Sequence, residues 1–183
     1  MNAPEPRFSP LARLLHWSMA IMILAMLFVG IGMVSSATER YRYLLALHRP
    51  LGILILLLAV VRLAHRLVNP APPLPASLPP LQQAAAKISH IVLYALMFIM
   101  PLLGWAMLSA APYPISLVSG LRLPAILSPD AALYARLRTL HTDFALLFYA
   151  VILMHLGAAL FHAWIRRDGV FASMTGRRKS RAL

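Results

Sequence analysis

Four long apolar stretches, separated by segments rich in proline and arginine, organise the chain. They cover roughly residues 11–34, 44–67, 88–109 and 140–165. About 20 helical residues cross the hydrocarbon core of a bilayer, and each stretch reaches that length. Lipid offers the backbone no hydrogen-bond partner, so each is expected to be a helix. The alternating pattern of half-buried strands is absent. The first stretch follows Arg7 and Arg13 and precedes Ser35-Ser36-Ala37, the outline of a cleaved signal peptide. Its apolar run is longer than the roughly 7–15 residues of a signal core, so it reads as a retained span.

Helix breakers fall between the stretches. Residues 69–80 (NPAPPLPASLPP) are proline-dense and form the connection between spans two and three. Residues 110–139 are the longest connection, with Pro112, Pro114, Gly120, Pro124 and Pro129, and their apolar content places them against the membrane surface. Pro101 lies inside the third stretch and predicts a kink there. No internal repeat is visible. The expectation is an all-α, up-down, integral membrane four-helix bundle, with the 183 residues forming one domain.

Composition strengthens this picture. Hydrophobic residues make up 61% and charged residues 12%, against about a quarter charged in a soluble domain. There is too little polar side chain to cover a water-facing surface. Disorder is excluded by the same numbers. The absence of cysteine removes disulfides, thiolate zinc sites, iron–sulfur clusters and cysteine nucleophiles.

The net charge of +12 is distributed unevenly. One side of the expected bundle carries Arg7, Arg13, Arg62, Arg66, Lys87, Arg166, Arg167, Arg177, Arg178, Lys179 and Arg181; the other carries Arg40, Arg42, Arg49, Arg122, Arg136 and Arg138. The positive-inside rule puts both termini and the proline-rich connection in the cytoplasm. The basic tail from Gly176 to Arg181 reads as a topogenic end contacting anionic lipid, not as a nucleic-acid patch.

Histidine carries the candidate chemistry. Of His16, His48, His65, His90, His141, His155 and His162, all but His65, which sits between Arg62 and Arg66, have an apolar context in or at the edge of a stretch. An ionisable group in a span is rare and points to function. Only Asp143 supplies a carboxylate there, which disfavours a proton relay, a cation channel or a haem-free transporter. Neutral imidazoles in apolar walls suit bis-histidine haem ligation instead. His48 and His141 fall at one level near the outer ends of spans two and four. His155 follows His141 by 14 residues, about 21 Å along the helix and nearly on the same face. One helix can thus serve two haems, with Phe148 midway between its histidines and His162 continuing the same face. For the inner partner of His155, depth allows both His16 and His90.

Three further positions fit the same geometry. Gly30 leaves room for a macrocycle edge, Gly52 lets one approach the backbone, and Arg62 reaches an inner haem propionate. Each also has a plainer reading: helix packing for the glycines, and snorkelling to the interface for the arginine. The tryptophans and tyrosines suit an interfacial belt and packing, and the methionines suit apolar filling.

Together these pieces resemble the bacterial cytochrome b561 family of four-helix membrane dihaem cytochromes. The resemblance rests on Leu15-His16-Trp17, Leu47-His48-Arg49-Pro50-Leu51-Gly52, Val60-Val61-Arg62-Leu63, Ser89-His90-Ile91-Val92-Leu93-Tyr94, Leu140-His141-Thr142 and Met154-His155-Leu156-Gly157-Ala158, in this order over nearly the whole chain. It implies two b haems in the bacterial inner membrane, one held by His16 and His155 on the cytoplasmic side and one by His48 and His141 on the outer side. It also implies electron exchange with quinone, leaving His90 and His162 as candidate quinone contacts. One branch resembles a superoxide:ubiquinone oxidoreductase. For superoxide, Arg40, Arg42, Arg49, Arg122, Arg136 and Arg138 would form a positive funnel, or else bind propionates and lipid phosphates. The alternative implied role is a non-enzymatic relay between quinone and a partner dehydrogenase or periplasmic redox protein.

Overall fold

The computed structural model describes residues 7–75, 77–113, 115–117, 120 and 122–176. Pro114 and the tail residues Arg177, Arg178, Lys179 and Arg181 lie outside them. Four long helices dominate: α1 (Pro10–Val34), α2 (Glu39–Val68), α3 (Pro80–Ala110) and α4 (Ala131–Phe161). All four are long and apolar enough to cross a membrane. Their outward faces are apolar, with Leu14, Phe28, Ile91 and Leu146 largely exposed, as a lipid-solvated bundle requires.

Each helix begins where local chemistry permits. Ser9 caps α1 by accepting the Ala12 N–H at 3.1 Å, and Pro10 occupies the first turn, where its missing N–H is harmless. Asp130 caps α4 by accepting the Leu133 N–H at 2.9 Å. Pro50 and Pro101 lie within α2 and α3, and both helices continue through them.

The helices are longer than the apolar stretches. α4 starts nine residues before the expected boundary at 140, so the last third of the presumed 110–139 connection is helix. Hydropathy lost it because Arg136 and Arg138 interrupt the apolar run, whereas the Asp130 cap and backbone ladder are indifferent to those charges. α2 and α3 likewise begin earlier than expected, at Glu39 and Pro80. The connection contains a two-stranded antiparallel ladder, β1 (Ile115–Ser116) with β2 (Arg122–Leu123). Strands this short lie below the reach of any periodicity. The connection folds back on α3: Trp105 Nε1 donates to the Pro124 carbonyl at 2.8 Å, and Asp130 N to the Ala110 carbonyl at 2.9 Å.

After α4 the chain makes a π turn (His162–Arg166) and a short helix, α5 (Val170–Thr175), neither expected from sequence. Trp17 Nε1 donates to the Met174 carbonyl at 3.2 Å, so the described start and end of the chain meet at one end of the bundle. α1 packs mainly on α2, and α3 on α4. Between them Met19, Ala59, Leu96, Met97, Phe148 and Val151 form the buried core.

Candidate cofactor site: histidines paired at two levels

α4 contributes a histidine at each of two depths. His141 lies ten residues into α4, and His48 nine residues into α2, counted from the same side of the bundle. Their rings meet with centroids 6.1 Å apart and planes at 66°. At the other side His155 lies six residues before the end of α4, and His16 six residues after the start of α1. Their centroids are 6.3 Å apart with planes at 65°. His90 also reaches His155, at 5.6 Å and 64°. The buried Phe148 and its core neighbours separate the two levels.

These spacings can be compared with coordination chemistry. A metal–imidazole nitrogen bond of about 2.0–2.1 Å, plus roughly 1.1 Å from nitrogen to ring centre on each side, puts two trans imidazole centroids about 6.3 Å apart. The His48–His141 and His16–His155 separations fit a single metal between the rings, and the His90–His155 separation is shorter. Among the described residues no group of three or more His, Asp or Glu side chains is arranged to hold a metal ion. Two imidazoles leave the equatorial positions of an iron to a tetradentate ring, which is the division of labour in a bis-histidine haem. His48 Nδ1 and His141 Nδ1 are buried without hydrogen-bond partners. Such orphaned nitrogens are unfavourable in an apolar interior, which fits rings engaged by a group other than the polypeptide.

The glycines separate into two kinds. A Cβ on Gly30 would meet nothing within 4 Å, so no helix contact requires its smallness. On Gly52 it would touch Met26 Cε at 3.7 Å, an ordinary contact. Gly104 went unnoticed in the sequence. A Cβ there would lie 3.4 Å from His141 Cε1, so the backbone of α3 supports that ring closely. A lone glycine inside an apolar helix was the available signal, but its partner on another helix was not readable.

Arg62 does not snorkel. Its Nη2 lies 2.9 Å from His16 Nδ1, and its guanidinium sits 5.7 Å from the centre of the Tyr94 ring, within cation–π range. Guanidinium only donates, so His16 Nδ1 is the acceptor. An iron bond at the other nitrogen would leave the proton on Nδ1, and Arg62 would then need a different acceptor, such as a propionate.

The remaining candidates are apart from the pairs. His162 Nδ1 lies 2.7 Å from Asp168 Oδ2, and His65 Nε2 lies 3.3 Å from Ser9 Oγ. Arg40, Arg42 and Arg49 are on the first three turns of α2, Arg122 is on β2, and Arg136 and Arg138 are on the α4 extension. All but Arg49 are exposed. Arg42 pairs with Glu39 at 3.1 Å in full solvent, a contact worth little. A groove of about 440 Å³ lined by Tyr134, Arg138, Thr142 and Asp143 runs along the first turns of α4, beside the His141 level and not between the paired rings.

Residues 7–177 match the family profile described as prokaryotic cytochrome b561. Cytochrome b561 homolog 2 of Escherichia coli (strain K12) is 32% identical over 182 residues, covering 98% of this chain and 96% of the relative. Cytochrome b561 homolog 1 of the same strain is 31% identical, covering 94% and 99%. A probable superoxide oxidase CybB of Yersinia pestis is 26% identical, covering 90% and 93%.

Proposed function

This chain belongs to the prokaryotic cytochrome b561 family of multi-pass inner-membrane, haem b electron-transfer proteins, and from that premise we propose that it is a dihaem superoxide:ubiquinone oxidoreductase. His48 with His141 would hold the outer haem, and His16 with His155 the cytoplasmic-side haem. Haem iron bound there supplies a reversible one-electron couple. The observation that carries the assignment is the repetition of metal-compatible spacing, 6.1 and 6.3 Å, at two depths on one helix.

The chain's own residues have separable tasks. The four histidines ligate and orient. Gly30 leaves the outer level uncrowded, and Gly104 fixes the His141 ring. Arg62 would hold a propionate and keep a positive charge beside the inner site. The exposed arginines at the outer end attract a small anion to the entrance and raise its encounter rate, an effect that salt weakens. His90 and His162 are the polar groups near the inner level that a quinone headgroup would meet.

A non-enzymatic electron relay is the second reading. It is favoured by the two E. coli relatives, which are more similar to this chain than the probable superoxide oxidase and carry only the cytochrome name. A superoxide-generating system added to the haem-loaded protein separates the two. The oxidoreductase reading expects the b-type absorption bands of the reduced state to appear, more slowly at high salt, and to be abolished by superoxide dismutase. Bands that stay oxidised at low salt, while dithionite reduces them fully, would leave only the relay.

A further inference from the structure

The π turn after α4 builds a polar cluster that ligation leaves unused. His162 is seven residues beyond His155, on nearly the same face of the helix. Asp168 Oδ2 accepts from His162 Nδ1 at 2.7 Å and from Arg166 Nε at 3.1 Å, while its Oδ1 accepts the Val170 N–H at 3.3 Å. Arg166 Nη1 reaches Gln82 Oε1 on α3 at 3.5 Å, tying the cluster to a second helix. The Asp168 side chain is only 9% exposed, and that of His162 17%. The backbone is shaped for this contact. Five residues leave the α-helical ladder, and Arg167 takes a left-handed conformation with φ 51°. Single π turns recur at functional sites because they re-aim side chains.

We propose that Asp168 is a positioning residue and His162 a proton-transfer residue for quinone reduction at the cytoplasmic end of the bundle. Both carboxylate oxygens of Asp168 are engaged, so the carboxylate holds the His162 Nδ1 proton in place and does not itself take part in transfer. The exchangeable proton is then the one on Nε2, the nitrogen facing away from Asp168. Burial raises the Asp168 carboxyl, but the hydrogen bonds from His162, Val170 and Arg166 and the His162 charge outweigh it, and the net shift is downward. The group therefore stays anionic and keeps its contact with His162 Nδ1.

This inference rests on the quinone reading above. Reduction of one quinone to quinol takes two electrons, supplied by two one-electron oxidations of the outer-face donor, and two protons. His162 gives one proton from Nε2 to a quinone oxygen, keeps Nδ1–H on Asp168, and is reprotonated from cytoplasmic water. The second proton comes from the same water.

The test uses full-length, haem-loaded protein and a soluble short-chain ubiquinone analogue, with Asp168→Asn, His162→Gln and the double variant. Loss of an outer-sphere partner of this kind typically costs about 10–100-fold. We expect Asp168→Asn to lower kcat in that range with KM changed less than about twofold, and haem content and the reduced spectrum unaltered. His162→Gln should lower kcat at least as far, and the double variant no further, since groups acting as a unit are non-additive. Nitrogen-15 NMR of labelled histidine should show the His162 Nδ1 proton bound in the parent and redistributed in Asp168→Asn. Unchanged kcat in Asp168→Asn alongside an active parent overturns this inference alone. Multiplicative losses in the double variant also overturn it. A haem-loaded parent that reduces no quinone removes the quinone reading and this inference with it.

Discussion

Individual side chains carry most of the functional claim. The pairing predicts which haem each substitution removes. His48→Ala and His141→Ala should each leave one haem and the same residual spectrum, while His16→Ala and His155→Ala leave the other. His90→Ala should retain both. Low-temperature absorption spectra of the purified variants check this, and loss of a haem in His90→Ala with retention in His16→Ala would reverse the inner assignment. Arg62→Leu should lower the midpoint potential of the inner haem by roughly tens of millivolts, because a cation a few ångströms away favours the reduced, less positive site. Redox titration measures it, and an unchanged or raised potential contradicts a charge held at that haem. The paired histidines were legible in the sequence because an imidazole in an apolar run is conspicuous and a 14-residue spacing keeps one helical face. The choice between His16 and His90 was not legible from depth alone, since both reach His155 from different helices. Gly104 and Asp168 were missed for a related reason: their significance lies in a contact, to His141 and to His162, that no local pattern encodes.

Helices and connections follow simpler rules, and two of them are testable in isolation. Asp130→Ala removes the cap on an exposed helix start and should cost about 0.5–2 kcal/mol, as caps do. Hydrogen exchange should show fraying confined to residues 131–139, and uniform exchange along α4 would contradict the cap's role. The turn held by Asp168 has a defined pH dependence. Its carboxyl titrates below the ordinary range when folded, so its contribution is complete above that range and is lost as pH falls through the lowered folded value. Proteolytic release of the segment after residue 166 should therefore rise only in strong acid, and release already near neutral pH would contradict the contact. Hydropathy located all four spans but cut α2, α3 and α4 short. It measures compatibility with lipid, whereas the hydrogen-bonded ladder continues past the membrane boundary wherever a cap and helix-forming residues allow. α4 is about 46 Å long at 1.5 Å per residue, against a hydrocarbon core of about 30 Å.

At the scale of the molecule, the bundle is a scaffold that suspends two pairs of imidazoles in oil and separates them by a packed core. Lipid is as apolar as leucine, so this core is not stabilised by the hydrophobic effect but by close packing. The space around the histidines can then be shaped for a cofactor without sacrificing a hydrophobic driving force. The exposed arginines lie at the end of the bundle that carries His48 and His141, opposite the end where Trp17 meets Met174. If that end receives an anionic donor, reduction of the protein by superoxide should fall several-fold between low and physiological ionic strength, and charge reversal at Arg136 and Arg138 should flatten the dependence. A rate independent of salt would remove the steering role while leaving the haem assignment intact. The central claim is the dihaem content itself, and quantitative extraction of haem against protein mass measures it directly. The account predicts two b haems per chain, falling to one in His141→Ala and one in His155→Ala. A single haem in the parent protein, or an unchanged two in either variant, would contradict it.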